Sequence, residues 1–372
     1  MDHGAGVTLR GDAEQTPDSS ATAGAASARR SSLAVDLTLL AIVGVLLVAA
    51  IGAGALSLYR QLYSPTAFVE RYLTLLSEGR AADALTLPGV AIESAALRAA
   101  GMPEVSSEAL LRRDALASLT DIQAVSETTD GGLTRVTMSY RAGDYAGSTT
   151  FDVISDGWIG ITPRWRFATS PLAVIDLTVR GSMSFSVNGF TIDKRQISPD
   201  LADADPLAAV PLLVFSPGLY SVTVDTPVAT AAGTAVVSDS PLVSIPVDLQ
   251  AQPTAQFVAV VEEQVQNFLT GCATQQVLQP TACPFGYPVQ DRIVSPPTWS
   301  IVTQPTVTVT PDGADWKIER TEAVAHIDVD IRSLYDGRIT RVSEDVPFAL
   351  RGSIDILADG TASISVTSTD ER

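Results

Sequence analysis

Between Leu37 and Leu58 the sequence LTLLAIVGVLLVAAIGAGALSL runs for 22 residues without a charge. A helix of that length measures about 33 Å, against a bilayer hydrocarbon core of about 30 Å, so the pattern predicts a transmembrane helix over 33–58. Arg29 and Arg30 precede the run, Asp36 stands at its edge, and Tyr59, Arg60 and Tyr63 follow as interfacial anchors. The arginine pair orients the N-terminus toward the cytoplasm and leaves the C-terminal bulk outside. Two other readings compete: a signal peptide cleaved after Ala55 of the small-residue stretch Ala53-Gly54-Ala55, and a twin-arginine signal at Arg29-Arg30. Both want an apolar core of about 7–15 residues, shorter than this one. Residues 1–32, rich in Gly, Ala, Ser, Thr and Asp, predict a disordered cytoplasmic tail.

Beyond the apolar run the period is first helical. Pro65 follows Ser64 at a helix start, with Phe68, Tyr72, Leu75 and Leu76 at helical spacing before Gly79. A short helix over Ala81–Leu87 stops at Pro88-Gly89, and a third is expected after an N-cap at Ser106 or Ser107, with Leu110, Leu111, Leu116 and Leu119 as its stripe. The period then becomes two, around 122–127, 134–141, 147–154 and 165–168, which predicts an antiparallel meander over the helices. Residues 171–252 carry short alternating runs and tight-turn signals at Asn188-Gly189 and Pro217-Gly218, the pattern of a small β-sandwich. Residues 253–372 repeat the first plan. A helix over Thr254–Leu269, with Phe257, Val260, Val261, Val265 and Phe268 inward, is followed by strands over 299–309, 314–332, 337–356 and 361–367. The fold class is therefore α+β: one transmembrane helix, an α+β domain over 64–170, the sandwich, and a second helix-plus-sheet domain. The shared element order suggests a diverged duplication.

Composition changes this picture in two places. Hydrophobic residues reach 46% with only 6% aromatic, so cores are built from aliphatic side chains, which favours strands. The net charge of -18, with two lysines, Lys194 and Lys317, against 22 arginines, repels phosphate backbones and excludes nucleic-acid binding. The arginine and alanine excess points to a GC-rich bacterial genome.

Residues around Phe68–Thr86 and the closing Gly157-Trp158 to Trp165-Arg166-Phe167 resemble the cone-shaped α+β fold of nuclear-transport-factor-like and cystatin-like domains. Val187-Asn188-Gly189 and Ser216-Pro217-Gly218-Leu219-Tyr220-Ser221-Val222 are similar to small β-domains of bacterial envelope proteins. The whole plan resembles actinobacterial single-pass membrane proteins and, distantly, the TcaA-type envelope proteins. The cytoplasmic zinc ribbon of that type does not carry over, because the tail has no cysteine.

Candidate chemistry is sparse. Cys272 and Cys283, the only cysteines, lie in an exported loop and are expected to form a disulfide; the C-x-x-C spacing of a redox pair is absent. On TEAVAHIDVDIR, His326 shares a strand face with Asp328, Asp330 and Arg332, while Ala325, Ile327, Val329 and Ile331 point the other way. That face is either a solvated surface or the lining of a pocket in which His326, Asp328 and Asp330 supply the polar groups. Asp200, Asp203 and Asp205 form an acidic loop short of a full Ca²⁺ ligand set. Trp158, Trp165, Trp299 and Trp316 are read as core filling, with a sugar-stacking platform as the alternative. No nucleophile elbow, P-loop, dinucleotide fingerprint or H-E-x-x-H occurs, and no catalytic residue, metal site or cofactor is implied. The expected partners are the bilayer, through residues 37–58, and envelope proteins or cell-wall polymer. The expected role is binding or scaffolding outside the membrane; an enzyme or small-ligand carrier using the cone's pocket is the alternative.

Overall fold

A computed structural model describes residues 28–160, 162–198, 200, 204–357 and 361–368. Most of the expected tail therefore lies outside the described residues. Contacts divide the chain into Met1–Leu62 and Tyr63–Arg372.

The first unit is the apolar helix. α1 (Ala28–Tyr63) extends the expected span at both ends, and the stretch Val35–Gly54 is long and apolar enough to cross a membrane. The side chains of Val35–Gly54 are exposed, including Leu40 and Val48.

The second unit is α+β and rich in strands. Helices α2 (Pro65–Ser77), α3 (Ala81–Leu85) and α4 (Ser94–Ala99) precede strands β1 (Leu119–Asp130), β2 (Leu133–Ala142), β3 (Tyr145–Ile159) and β4 (Thr162–Phe167). The Ser64 hydroxyl accepts from the Ala67 N–H and Pro65 opens the helix, so α2 starts where the cap chemistry requires. The four strands form an antiparallel meander in sequence order.

β5 (Leu172–Arg180), β6 (Ser184–Val187), β7 (Phe190–Asp193), α5 (Lys194–Ile197), β8 (Val210–Phe215), β9 (Gly218–Asp225), β10 (Ala229–Ser238), β11 (Ser244–Gln250) and β12 (Gln252–Pro253) follow. They build a three-stranded sheet, ordered β11-β5-β8, and a five-stranded sheet, ordered β12-β10-β9-β6-β7. β11 runs parallel to β5. The last part is α6 (Ala255–Ala273), β13 (Arg292–Ile293), β14 (Thr298–Thr303), β15 (Val309–Asp312), β16 (Asp315–Arg332), β17 (Ile339–Ile356) and β18 (Ala362–Ser368). β16 is its spine, pairing with β17 on one edge and with β13, β14 and β15 on the other.

Two apolar clusters hold the second unit together, and β5 and β8 stand between them. Leu172, Val174, Leu213 and Phe215 enter the cluster of α2 and the meander. Ala173, Ile175, Leu212 and Val214 enter a second cluster, which runs on through β9 and α6 to β16 and β17. Successive strand residues point to opposite faces, so a strand buried on both sides must be apolar throughout, as Val-Pro-Leu-Leu-Val-Phe of β8 is. The expected boundary near residue 252 falls inside the second cluster, since Leu249, Ala251 and Phe257 all belong to it. Tyr72 adds a polar tie: its hydroxyl is within hydrogen-bonding reach of the carbonyls of Pro171 and Ser216 at 3.3 and 3.0 Å.

The expected helix after Ser107 does not form; only a single 3₁₀ turn, Arg113–Ala115, occurs there. Its apolar residues are drawn to different cores: Leu110 and Ala115 to the second cluster, Leu119 to the first. A helix presents one stripe and cannot serve both. The Ser107 N–H instead donates to the Pro211 carbonyl at 2.8 Å and the Leu213 N–H to the Ser107 carbonyl at 2.9 Å, fastening the segment to β8. Two smaller expectations also fail. Val260 is 46% exposed on α6, and the strand expected over 299–309 is divided into β14 and β15, with Pro305 in the gap.

Candidate functional site

The polar strip on β16 is completed by β17. Ala325, Ile327, Val329 and Ile331 are buried, while His326, Asp328 and Asp330 are half-buried on the opposite face. The register sets His326 opposite Asp345, Asp328 opposite Ser343 and Asp330 opposite Arg341. His326 Nδ1 lies 2.6 Å from Asp345 Oδ1, and its Nε2 lies 3.1 Å from Ser343 Oγ and 3.6 Å from Asp328 Oδ2. Arg341 Nη2 donates to Asp328 Oδ1 at 3.3 Å.

Alternation alone brought the three predicted residues to one face. It did not reveal Arg341, Ser343 and Asp345, because the pairing of two strands is not written in either one. Their own run carries only a weak alternation signal, since Val342 separates Arg341 from Ser343 but the charged Glu344 stands between Ser343 and Asp345. His326, Asp328 and Asp330 line none of the three cavities described below.

The Ser343 hydroxyl, then Arg341 and His326, hold the Asp328 carboxyl below the usual carboxylate range. A carboxyl whose pKa is lower folded than unfolded contributes its full stability above about pH 4, the unfolded value, and loses it as pH falls through the folded value. Asp328→Asn is therefore expected to lower the urea midpoint slightly at neutral pH, and the difference from the native protein should shrink as pH falls below about 4, so that acid unfolding is flatter in the variant. A pH titration of the urea midpoint checks this; equal acid sensitivity in both proteins would refute it.

The largest cavity described, about 730 Å³, opens between the sandwich and the β16–β17 sheet, where Met183, Val228 and Leu357 meet Arg195, Asp315 and Asp355. Arg195 is already engaged: its Nη2 lies 2.7 Å from Asp193 Oδ2 and holds that carboxyl below its ordinary range. Two smaller hollows, about 290 and 400 Å³, border α6 with β18 and β16 with β17 and β18. Among the described residues no group of three or more His, Cys, Asp or Glu is arranged to hold a metal ion. Asp203 of the acidic loop lies outside the described residues, while Asp205 caps the following turn by accepting from the Leu207 N–H at 2.8 Å.

Cys272 and Cys283 are joined, with Cα atoms 5.8 Å apart. The bridge ties the end of α6 to the loop that delivers Phe285 onto Trp299 and Phe348, with ring centroids 4.9 and 5.2 Å away. Closing an 11-residue separation is worth about 2–3 kcal/mol in the chain-entropy model. Reduction, or the Cys272→Ser, Cys283→Ser double variant, is expected to cost that amount in chemical denaturation, and an unchanged midpoint would refute it.

The four tryptophans divide. Trp299 and Trp316 are core, 4% and 1% exposed, and Trp165 is half-buried. Trp158 is 65% exposed at the β3–β4 turn, so the reading of all four as core filling fails there. A hairpin end has no layer above it to pack against.

Compared with known proteins, the chain matches no family model, no curated protein and no solved structure.

Proposed function

We propose that the chain is a single-pass membrane protein whose bulk lies outside the cytoplasmic membrane and works by binding or scaffolding in the cell envelope. The carrying observation is the filled interior of the helix-and-meander part. Tyr72, Phe151 and Phe167 stack edge-on or tilted at centroid distances of 5.2 to 6.0 Å, and Leu73, Leu76 and Met138 are fully buried around them. An interior packed in this way favours recognition by the outer surface. The apolar helix, the arginine pair before it and the disulfide of an oxidising compartment support the topology.

The surface best suited to a partner is the β16–β17 hairpin end. Tyr335 is 99% exposed and Leu334 72%, with Ile339, Arg332 and Arg338 close by in the chain. Exposed tyrosine and arginine together are residue types enriched among interface anchors. A photo-reactive phenylalanine analogue at position 335, in intact cells expressing the full chain, should yield adducts with an envelope protein or wall polymer. Recovery of soluble metabolites alone would overturn the binding role. The second reading, a small-ligand carrier, rests on the 730 Å³ cavity, where apolar walls and two carboxylates converge.

A further inference from the structure

We infer that the β3–β4 hairpin is a second membrane contact: Trp158 and Ile159 at its end insert into the interfacial layer of the bilayer that holds α1. The inference rests on the membrane-anchor reading above.

Three observations within the chain carry it. First, Trp158 and Ile159 are 65% and 66% exposed, side by side at the end of a hairpin. Two large apolar side chains left so exposed at a strand end are disfavoured by water there. Second, the hairpin is fastened to the place where the apolar helix ends. The Trp165 indole N–H on β4 donates to the Tyr63 carbonyl at 2.8 Å, and Tyr63 is the last residue of α1. Five helical residues separate Leu58 from Tyr63, a rise of about 7–8 Å, which sets that carbonyl at the level of the head groups rather than far from them. Third, the reach is short. Trp158 pairs with Pro163, two residues along β4 from Trp165, a distance of about 7 Å in a strand. Trp158 thus lies about 7 Å of strand from the residue hydrogen-bonded to Tyr63.

The residue chemistry fits that layer. Tryptophan, with an apolar body and one N–H, prefers the interface between hydrocarbon and water, and exposed Arg166 beside Trp165 suits phosphate oxygens. A helix alone leaves the exported part free to swivel about one connection. A second contact would hold it at a fixed height and presentation.

The test uses the full chain in phosphatidylcholine–phosphatidylglycerol vesicles whose acyl chains are brominated near the head group, which quenches nearby indoles. The native protein should be quenched, and Trp158→Phe should lose about half or more of that quenching, because Trp299 and Trp316 are buried in the second core. Alkaline carbonate extraction of the same vesicles reads the anchor separately. If the protein resists extraction and Trp158→Phe is quenched as strongly as the native chain, the hairpin contact is wrong and the anchor stands. If carbonate releases the protein, the anchor reading fails and the hairpin contact falls with it.

Discussion

Trp316→Ala is expected to lower the stability of the second unit by about 3–5 kcal/mol, the cost of emptying the space of a buried tryptophan. Trp316 is among the largest fully buried side chains and stands where three elements meet. Its strand pairs with β15 and β17, its ring lies 6.1 Å from that of Phe257 on α6, and its Cζ2 would be 3.1 Å from a Cβ at Gly181. Gly181, which the ring faces, has no side chain to fill the gap. Among the described residues the indole N–H has no hydrogen-bond partner, so Trp316→Phe removes an unsatisfied donor along with some volume and should recover most of the loss. Urea midpoints at unchanged slope measure both variants. A loss below about 1 kcal/mol for the alanine variant would mean that the core collapses onto the site.

Gly89→Ala is expected to cost about 3 kcal/mol or more, large for one methyl group on a turn. Gly89 has φ +83°, a conformation that costs an L-residue about 1–2 kcal/mol. The added Cβ would also lie 2.3 Å from the Phe167 carbonyl oxygen and 2.9 Å from its nitrogen, backbone atoms that cannot swing aside. The turn must lift from β4, which breaks the bond from the Phe167 N–H to the Pro88 carbonyl, 3.0 Å long. Gly101→Ala is the internal control: its φ is +74°, yet nothing lies within 4 Å of the new Cβ, so it should pay the conformational cost alone. Equal losses at the two positions would show that the close approach to β4 contributes nothing.

Elements defined by their own periodicity were legible before any coordinates. α2 begins at Pro65 as expected, α6 covers the predicted helix, and β16 and β17 match the two long alternating runs to within two residues at each end. In the candidate site, alternation put His326, Asp328 and Asp330 on one face, and the cysteine count with the absence of C-x-x-C pointed to the bridge. Local signals failed wherever a segment was shared between cores. The leucines after Ser107 have helical spacing, yet Leu110 and Leu119 belong to different clusters, and the burial gained on both sides outweighs the helix propensity of a short segment. Trp158 failed in another way, since composition says only that a tryptophan prefers burial, and a hairpin end offers none.

By itself the sequence determined what depends on neighbours along the chain: the apolar stretch, the strand periods, the start of α2 and the acidic charge. Only the tertiary structure decided what depends on neighbours across space. It made β5 and β8 a wall between two cores, gave His326 its partners Ser343 and Asp345, and pressed Gly89 against the backbone of Phe167. The physical reason is one of range: helix spacing and strand alternation are set within a few residues, whereas burial and register are settled by segments that meet only once the chain has folded.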